Sequence, residues 1–419
     1  MKKTILILMA ALLTGSAAFA QEEKPSHFKL YGFIRNYVTA DTRAVNAGTE
    51  DLYYYMPKDV SMKDGYDQNA GFNWRFVSLT TRLGLDVSGY KWGKMGISGK
   101  VEADFYNFST SSVVPVLRLR QAFVKLNWDD SPVSLTLGQA WHPVGVDLPH
   151  MTNLESGAPF NPFNRSPQVT LDVNLGSGFG LTASVLYLNH YLPTGPAGKS
   201  KDYYKYGLPE MYLGFSYKNG GFLGKLGLDM VNSRPYRTTT DWLVEDATNK
   251  TREVKSLLST FSPFLFLQFT KGMFQLRAKS ILAQSGEQLN LLSGYGVHSY
   301  NSDGTITYTP MQDWASFVSF QYGKKFQVMC MLGYMKQFGT TKDLCDNQLW
   351  MNTAADTKIQ QAFRATPTVA WNLGKFTVSL EYNLTTAQFG EGDRNARGLY
   401  TSTHWVMNHR FICMTKFNF

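Results

Sequence analysis

Apolar and polar residues alternate with a period of two along most of this chain. Ile97, Gly99, Val101, Ala103 and Phe105 interleave with Ser98, Lys100, Glu102, Asp104 and Tyr106. Just upstream, Leu79, Thr81, Leu83, Leu85 and Val87 interleave with Ser78, Thr80, Arg82 and Asp86. Successive side chains of a strand point to opposite faces, so this pattern predicts strands lying between two different environments. Sixteen such stretches can be drawn, at about 27–38, 76–88, 96–106, 116–128, 132–140, 168–175, 181–189, 210–218, 222–231, 259–270, 273–283, 314–322, 326–336, 361–371, 376–385 and 404–419.

The connections separate two architectures that share this alternation. Those after even-numbered strands are short, such as the Asp129-Asp130-Ser131 turn and the Asn219-Gly220-Gly221 turn. Those after odd-numbered strands are long, at 39–75, 107–115, 141–167, 190–209, 232–258, 284–313, 337–360 and 386–403. A soluble sandwich has no reason to sort its loops by length. An outer-membrane barrel does, with short periplasmic turns and long surface loops. Strands of about ten residues suit a tilted crossing, whereas no apolar run approaches the roughly 18 residues of a membrane helix. Lipid cannot satisfy an open sheet edge, so the sheet must close. The expected fold is therefore all-β: a transmembrane antiparallel β-barrel of 16 strands.

The N-terminus fits export. Lys2 and Lys3 precede an apolar run from Ile5 to Leu13, and Ala18-Phe19-Ala20 resembles a cleavage site. Residues 1–20 are read as a cleaved signal peptide and residues 21–419 as one barrel domain. Alternating strands from about residue 27 leave no room for an N-terminal plug. The terminal strand alternates Met407, His409, Phe411, Cys413, Thr415 and Phe417 and ends on Phe419. That ending resembles the signal read by the outer-membrane insertion machinery. Removing residues 1–20 takes away two lysines and no acid, so the net charge falls from +9 to +7. A basic balance fits nucleic acid, an anionic surface or an anionic solute, and export disfavours the first. Cys330, Cys345 and Cys413 are odd in number and widely spaced, which suits neither a disulfide framework nor a metal site.

The segment 117–167 organises the rest. It begins as a hairpin, LRLRQAFVKLNWDDSPVSLTLGQ, then runs through 141–167 with five prolines and little periodicity. A long irregular stretch inside an ordered protein is usually functional. Leu117 and Leu119 share one face, while Ala122, Val124 and Leu126 have the other parity. A bulge near Arg120–Gln121 would reconcile them. The run Arg120-Gln121-Ala122-Phe123-Val124-Lys125-Leu126, followed by Val133-Ser134-Leu135-Thr136-Leu137-Gly138-Gln139, resembles the general bacterial porins. Leu117-Arg118-Leu119-Arg120 and Arg165-Ser166-Pro167-Gln168 resemble the DcaP-like branch. The resemblance implies a homotrimer whose third long loop folds inward as the constriction, and a preference for small anionic solutes.

With apolar residues facing lipid, the polar faces line the lumen. A lysine or arginine at the lipid midplane costs about 2–4 kcal/mol, so inward placement is favoured. The expected basic wall is Arg35, Arg82, Lys100, Arg118 and Arg120, and the constriction loop offers His142, Asp147, His150, Glu155 and Arg165. Arginines on the wall and carboxylates on the loop would set a transverse field across the opening, and charge at a constriction selects ions by sign. The expected function is passive diffusion of small hydrophilic, preferentially anionic, solutes across the outer membrane. The expected partners are those solutes and ions and membrane lipid, with no nucleic acid, cofactor, resident metal or enzymatic activity. A closed-lumen receptor or adhesin barrel would show the same alternation. A barrel hydrolase would need a serine beside His409 at the outer face.

Overall fold

The computed structural model describes residues 27–108, 114–188, 190–193, 195, 196, 198, 205–236, 238, 239, 252–301, 305–352 and 356–419. The signal-peptide reading lies outside them. Among the described residues, sixteen strands form the barrel wall. They are β1 (Phe28–Arg43), β2 (Ala70–Val77 and Arg82–Trp92), β3 (Met95–Asp104), β4 (Arg118–Trp128), β5 (Val133–Trp141), β6 (Arg165–Gly176), β7 (Phe179–Leu186) and β8 (Leu208–Asn219). The second half comprises β9 (Phe222–Ser233), β10 (Leu258–Lys271), β11 (Phe274–Gln284), β12 (Ile306–Gly323), β13 (Phe326–Thr340), β14 (Ile359–Ala365 and Thr368–Leu373), β15 (Phe376–Arg394) and β16 (Tyr400–Asn418).

Each strand pairs antiparallel with its neighbours in sequence. The barrel closes where β1 meets β16, from Phe33 opposite Asn418 to Asp41 opposite Arg410. Phe419 and Gly32 exchange backbone hydrogen bonds of 3.1 and 3.3 Å, which seats the terminal aromatic in that seam. Closure leaves no unpaired edge along the seam.

The burial pattern is inverted relative to a soluble protein. In β15, Ser379, Glu381, Asn383 and Thr385 are buried, while the alternate Leu380 is 45 % exposed. In β10, Phe261, Leu265, Leu267 and Phe269 stand exposed on the outer face. Such an apolar outer belt is stable only against lipid.

Strand extents differ from the expectation at the long-loop end. The stretch 386–403 continues as β15 and β16, leaving only 395–399 between them. The upper strands pair beyond the strongly apolar belt, where the sequence alternation no longer marks them. Strands β2 and β14 are each interrupted, and β4 is bulged. In β14 the break falls at Thr366–Pro367, because proline has no N–H for the ladder. In β4 the expected bulge is present: Gln121 faces Glu102 and Leu119 faces Ala103, so Arg120 is the extra residue. Leu119 and Val124 then both face outward and Arg120 is buried in the lumen.

Candidate functional site: an arginine-lined constriction

The constriction loop spans 142–164, since Trp141 pairs with Arg165 across β5 and β6. Arg165 therefore opens a strand rather than riding on the loop, a correction to the expected boundary at 167. The loop folds into the barrel and packs on the far wall. Val144, Ala158, Phe160 and Phe163 join Phe264, Phe266, Ile281, Leu289, Ala315, Met335 and Ala362 in one apolar cluster. Gly333 makes the closest approach possible, as a Cβ there would lie 2.5 Å from the Phe160 ring.

Polar contacts fasten the same side of the loop. Lys225 Nζ lies 2.7 Å from Asp147. Arg277 donates to the Leu148 carbonyl at 2.7 Å, and Lys279 donates to the Val144 carbonyl at 2.7 Å and to Asn161 at 2.9 Å. Ser319 Oγ accepts the His150 amide N–H at 3.2 Å. Glu381 accepts the amides of Thr152 and Asn153. Arg364, fully buried, pairs with Glu155 at 3.1 Å and donates to the Ala158 carbonyl at 3.0 Å. Asp147 and Glu155 are thus drawn to the wall behind the loop, and neither lines the opening in front of it. The expected field between wall arginines and loop carboxylates is not how these charges are arranged.

On the other side of the loop a cavity of about 470 Å³ remains against the β1–β6 wall. Among the described residues its charged lining is Arg35, Arg82, Arg118, Arg120 and Arg165, with no carboxylate. Glu102 and Asp104 stand behind the arginines on β3. Arg120 reaches both, at 2.9 and 2.7 Å. Arg118 makes two bonds to Asp104, at 3.0 and 3.1 Å, and Arg82 lies 3.5 Å from Glu102. Arg35 and Arg165 are held differently. Arg35 donates to Thr80 at 2.8 Å and lies over Phe33 and Tyr37. Arg165 lies over Trp141 and Phe163, at 4.9 and 5.3 Å from the ring centres. Among the described residues neither has a carboxylate within ion-pair distance. Lys100 sits apart from the cavity, paired with Asp86 at 3.0 Å.

The histidines of the loop take structural places. The buried His142 lies 3.2 Å from Glu210 and 3.6 Å from Asp229, which brings together a donor set able to hold a metal ion. The Val144 N–H donates to His142 Nδ1 at 3.1 Å, however. That leaves the ring proton on Nε2, which donates to Glu210 and has no free lone pair there. Gln288 donates to the same two carboxylates at 3.3 and 3.1 Å. The group is a hydrogen-bonded knot at the root of the loop. Burial and the nearby Arg277 push the His150 imidazole down to about 4. At the outer face, His409 is bonded to the Tyr382 hydroxyl at 2.6 Å and not to a serine.

Sequence reasoning missed the aromatic share of the lining: Tyr53, Tyr106, Trp141, Phe163 and Tyr191. Tyr106 continues the polar face of the 97–106 alternation, while the others come from connections or strand ends and carry no periodic signal.

No protein-family model and no curated protein matches the sequence. Solved structures do. The outer membrane channel DcaP of Acinetobacter baumannii is 18% identical, with 96% of this chain and 100% of that one covered and a TM-score of 0.65. An anion-selective porin from Comamonas acidovorans is 10% identical, with 94% and 99% covered and a TM-score of 0.53. OmpF of Salmonella typhi is 12% identical, with 94% and 97% covered and a TM-score of 0.50. The chain has the fold of the outer-membrane porins. The lipid-facing belt and the closed seam place that barrel in an outer membrane.

Proposed function

We propose that this chain is a diffusion porin that passes small hydrophilic solutes and prefers anions. The observation that carries the reading is the cavity beside the constriction loop, lined among the described residues by five arginines and no carboxylate. Glu102 and Asp104 offset part of that charge, and the wall keeps a net excess of three positive charges. Guanidinium groups present forked donors that suit carboxylates and phosphates. A solute entering between loop and wall would exchange part of its hydration for these donors without meeting a negative group. The anion selectivity named for the Comamonas structure, which shares the fold, agrees with this reading. Assembly as a homotrimer belongs to the same proposal.

The test is conductance of the purified, folded protein in planar bilayers under a salt gradient. Stepwise openings in threes, with a reversal potential shifted toward the anion, are expected. Openings without sign preference would remove the arginine argument and keep the porin. Silence from folded protein would overturn the transport reading and favour a closed-lumen receptor.

A further inference from the structure

We propose that the first long loop, residues 44–69, is a second constriction element, and that Tyr53 at its tip is a specificity-determining residue. The inference rests on the porin reading above and deepens it. After β1 the chain turns inward as a small hairpin, Val45–Ala47 against Tyr54–Pro57. Leu52, Tyr54, Tyr55 and Met56 are buried inside the barrel. The tip between them brings Gly48 and Tyr53 to the cavity that Arg118, Arg120 and Arg165 line.

The tip touches both sides of the opening. A Cβ at Gly48 would lie 2.4 Å from the Tyr106 hydroxyl, on the connection between β3 and β4. The Tyr53 ring meets Phe163 of the constriction loop edge-on, with centres 5.3 Å apart. Asn290 donates to the Tyr53 hydroxyl at 2.8 Å, which fixes the ring's direction. A rigid aromatic therefore stands between the arginine wall and the constriction loop. It narrows the passage without altering the passage's charge.

Two buried arginines hold the hairpin down. The Tyr54 ring lies 4.6 Å from the Arg364 guanidinium and 4.4 Å from that of Arg410. Cation–π attraction strengthens where water is excluded. Asp41 fixes Arg410 with two bonds of 2.8 Å. Arg364 donates to the Tyr55 carbonyl at 2.6 Å and grips Glu155 and Ala158 of the constriction loop as well. One side chain thus sets the position of both loops, and Tyr54 is the positioning residue through which the first loop is held.

The experiment is single-channel recording of the full-length protein with chloride and then a graded series of larger carboxylates. Tyr53→Ala should raise conductance by roughly 1.5-fold or more and admit larger anions, with the reversal potential unchanged because no charge is lost. Tyr54→Ala should act in the same direction by freeing the tip. Tyr54→Phe keeps the ring against the two guanidinium groups and should restore wild-type values, which a general loss of stability would not do. Wild-type conductance and size limits in both alanine variants, shown to be folded, would overturn the inference while leaving the porin intact. A silent wild type would overturn both.

Discussion

Arg165 offers the sharpest test of the charge argument, because its positive charge is not matched by a carboxylate among the described residues and it faces the cavity. Replacing it with glutamine removes one unit of charge. At ~8 Å in a water-like dielectric, one unit charge is worth about 0.5 kcal/mol to a monovalent ion. Screening at physiological ionic strength reduces that to about 0.2 kcal/mol. A cation feels the same term with opposite sign, so the difference doubles. The anion-to-cation permeability ratio should fall about twofold at physiological salt and about fivefold at low ionic strength. Arg165→Glu changes two units and should lower the ratio about fourfold at physiological salt. Arg165→Lys keeps the charge and disturbs the stacking on Trp141 and Phe163. It should leave the reversal potential near the wild-type value, which separates charge from packing. The assay is the zero-current potential across a planar bilayer under a potassium chloride gradient at two ionic strengths. A reversal potential for Arg165→Glu equal to wild type at low salt would refute the reasoning.

Two further outcomes follow from the same geometry. Arg118→Ala combined with Arg120→Ala leaves Glu102 and Asp104 without these partners, so the ratio should fall about as far as in Arg165→Glu; Arg118→Ala alone should move it the same way by less, and no shift in either would remove this cluster from selectivity. His150 is held neutral, with its folded value near 4 and below the unfolded one near 6.5. The unfolded state then binds more protons in that window, so stability should be level above pH 6.5 and fall as pH drops toward 4. Thermal unfolding across pH 4–8 should show that slope in wild type and a flatter one in His150→Asn, and equal slopes would discard the assignment.

Much of the wall was legible because lipid imposes a strict rule. A strand with lipid on one side must alternate, and all sixteen expected stretches overlap barrel strands. Even the parity conflict in β4 located its bulge, since Leu119 and Val124 could not both face lipid without an extra residue. Outside the apolar belt the rule lapses. The sequence stopped short at 386–403, and it gave no sign that Val45–Pro57 would enter the lumen. Tyr53, Tyr54 and Tyr55 follow one another with no alternation that would assign them a face.

The harder loss was the direction of the loop carboxylates. Asp147 and Glu155 sit on the constriction loop, as expected, but their partners Lys225 and Arg364 lie 78 and 209 residues away. No local pattern encodes such pairings. Their consequence for the field is large. A net charge of +9 over the chain says little about the opening, because a total does not say where its charges stand. What matters is which bases are matched. Lys225, Arg364 and Arg410 are matched by Asp147, Glu155 and Asp41, and they serve to fix loops or the seam. Those pairings remove the loop's acids from the front of the constriction. Among the described residues, Glu102 and Asp104 are the carboxylates that pair with any of the five arginines of the lining. The sign of the passage thus follows from how the constriction loop is fastened, and unfastening Glu155 from Arg364 would alter selectivity as well as size.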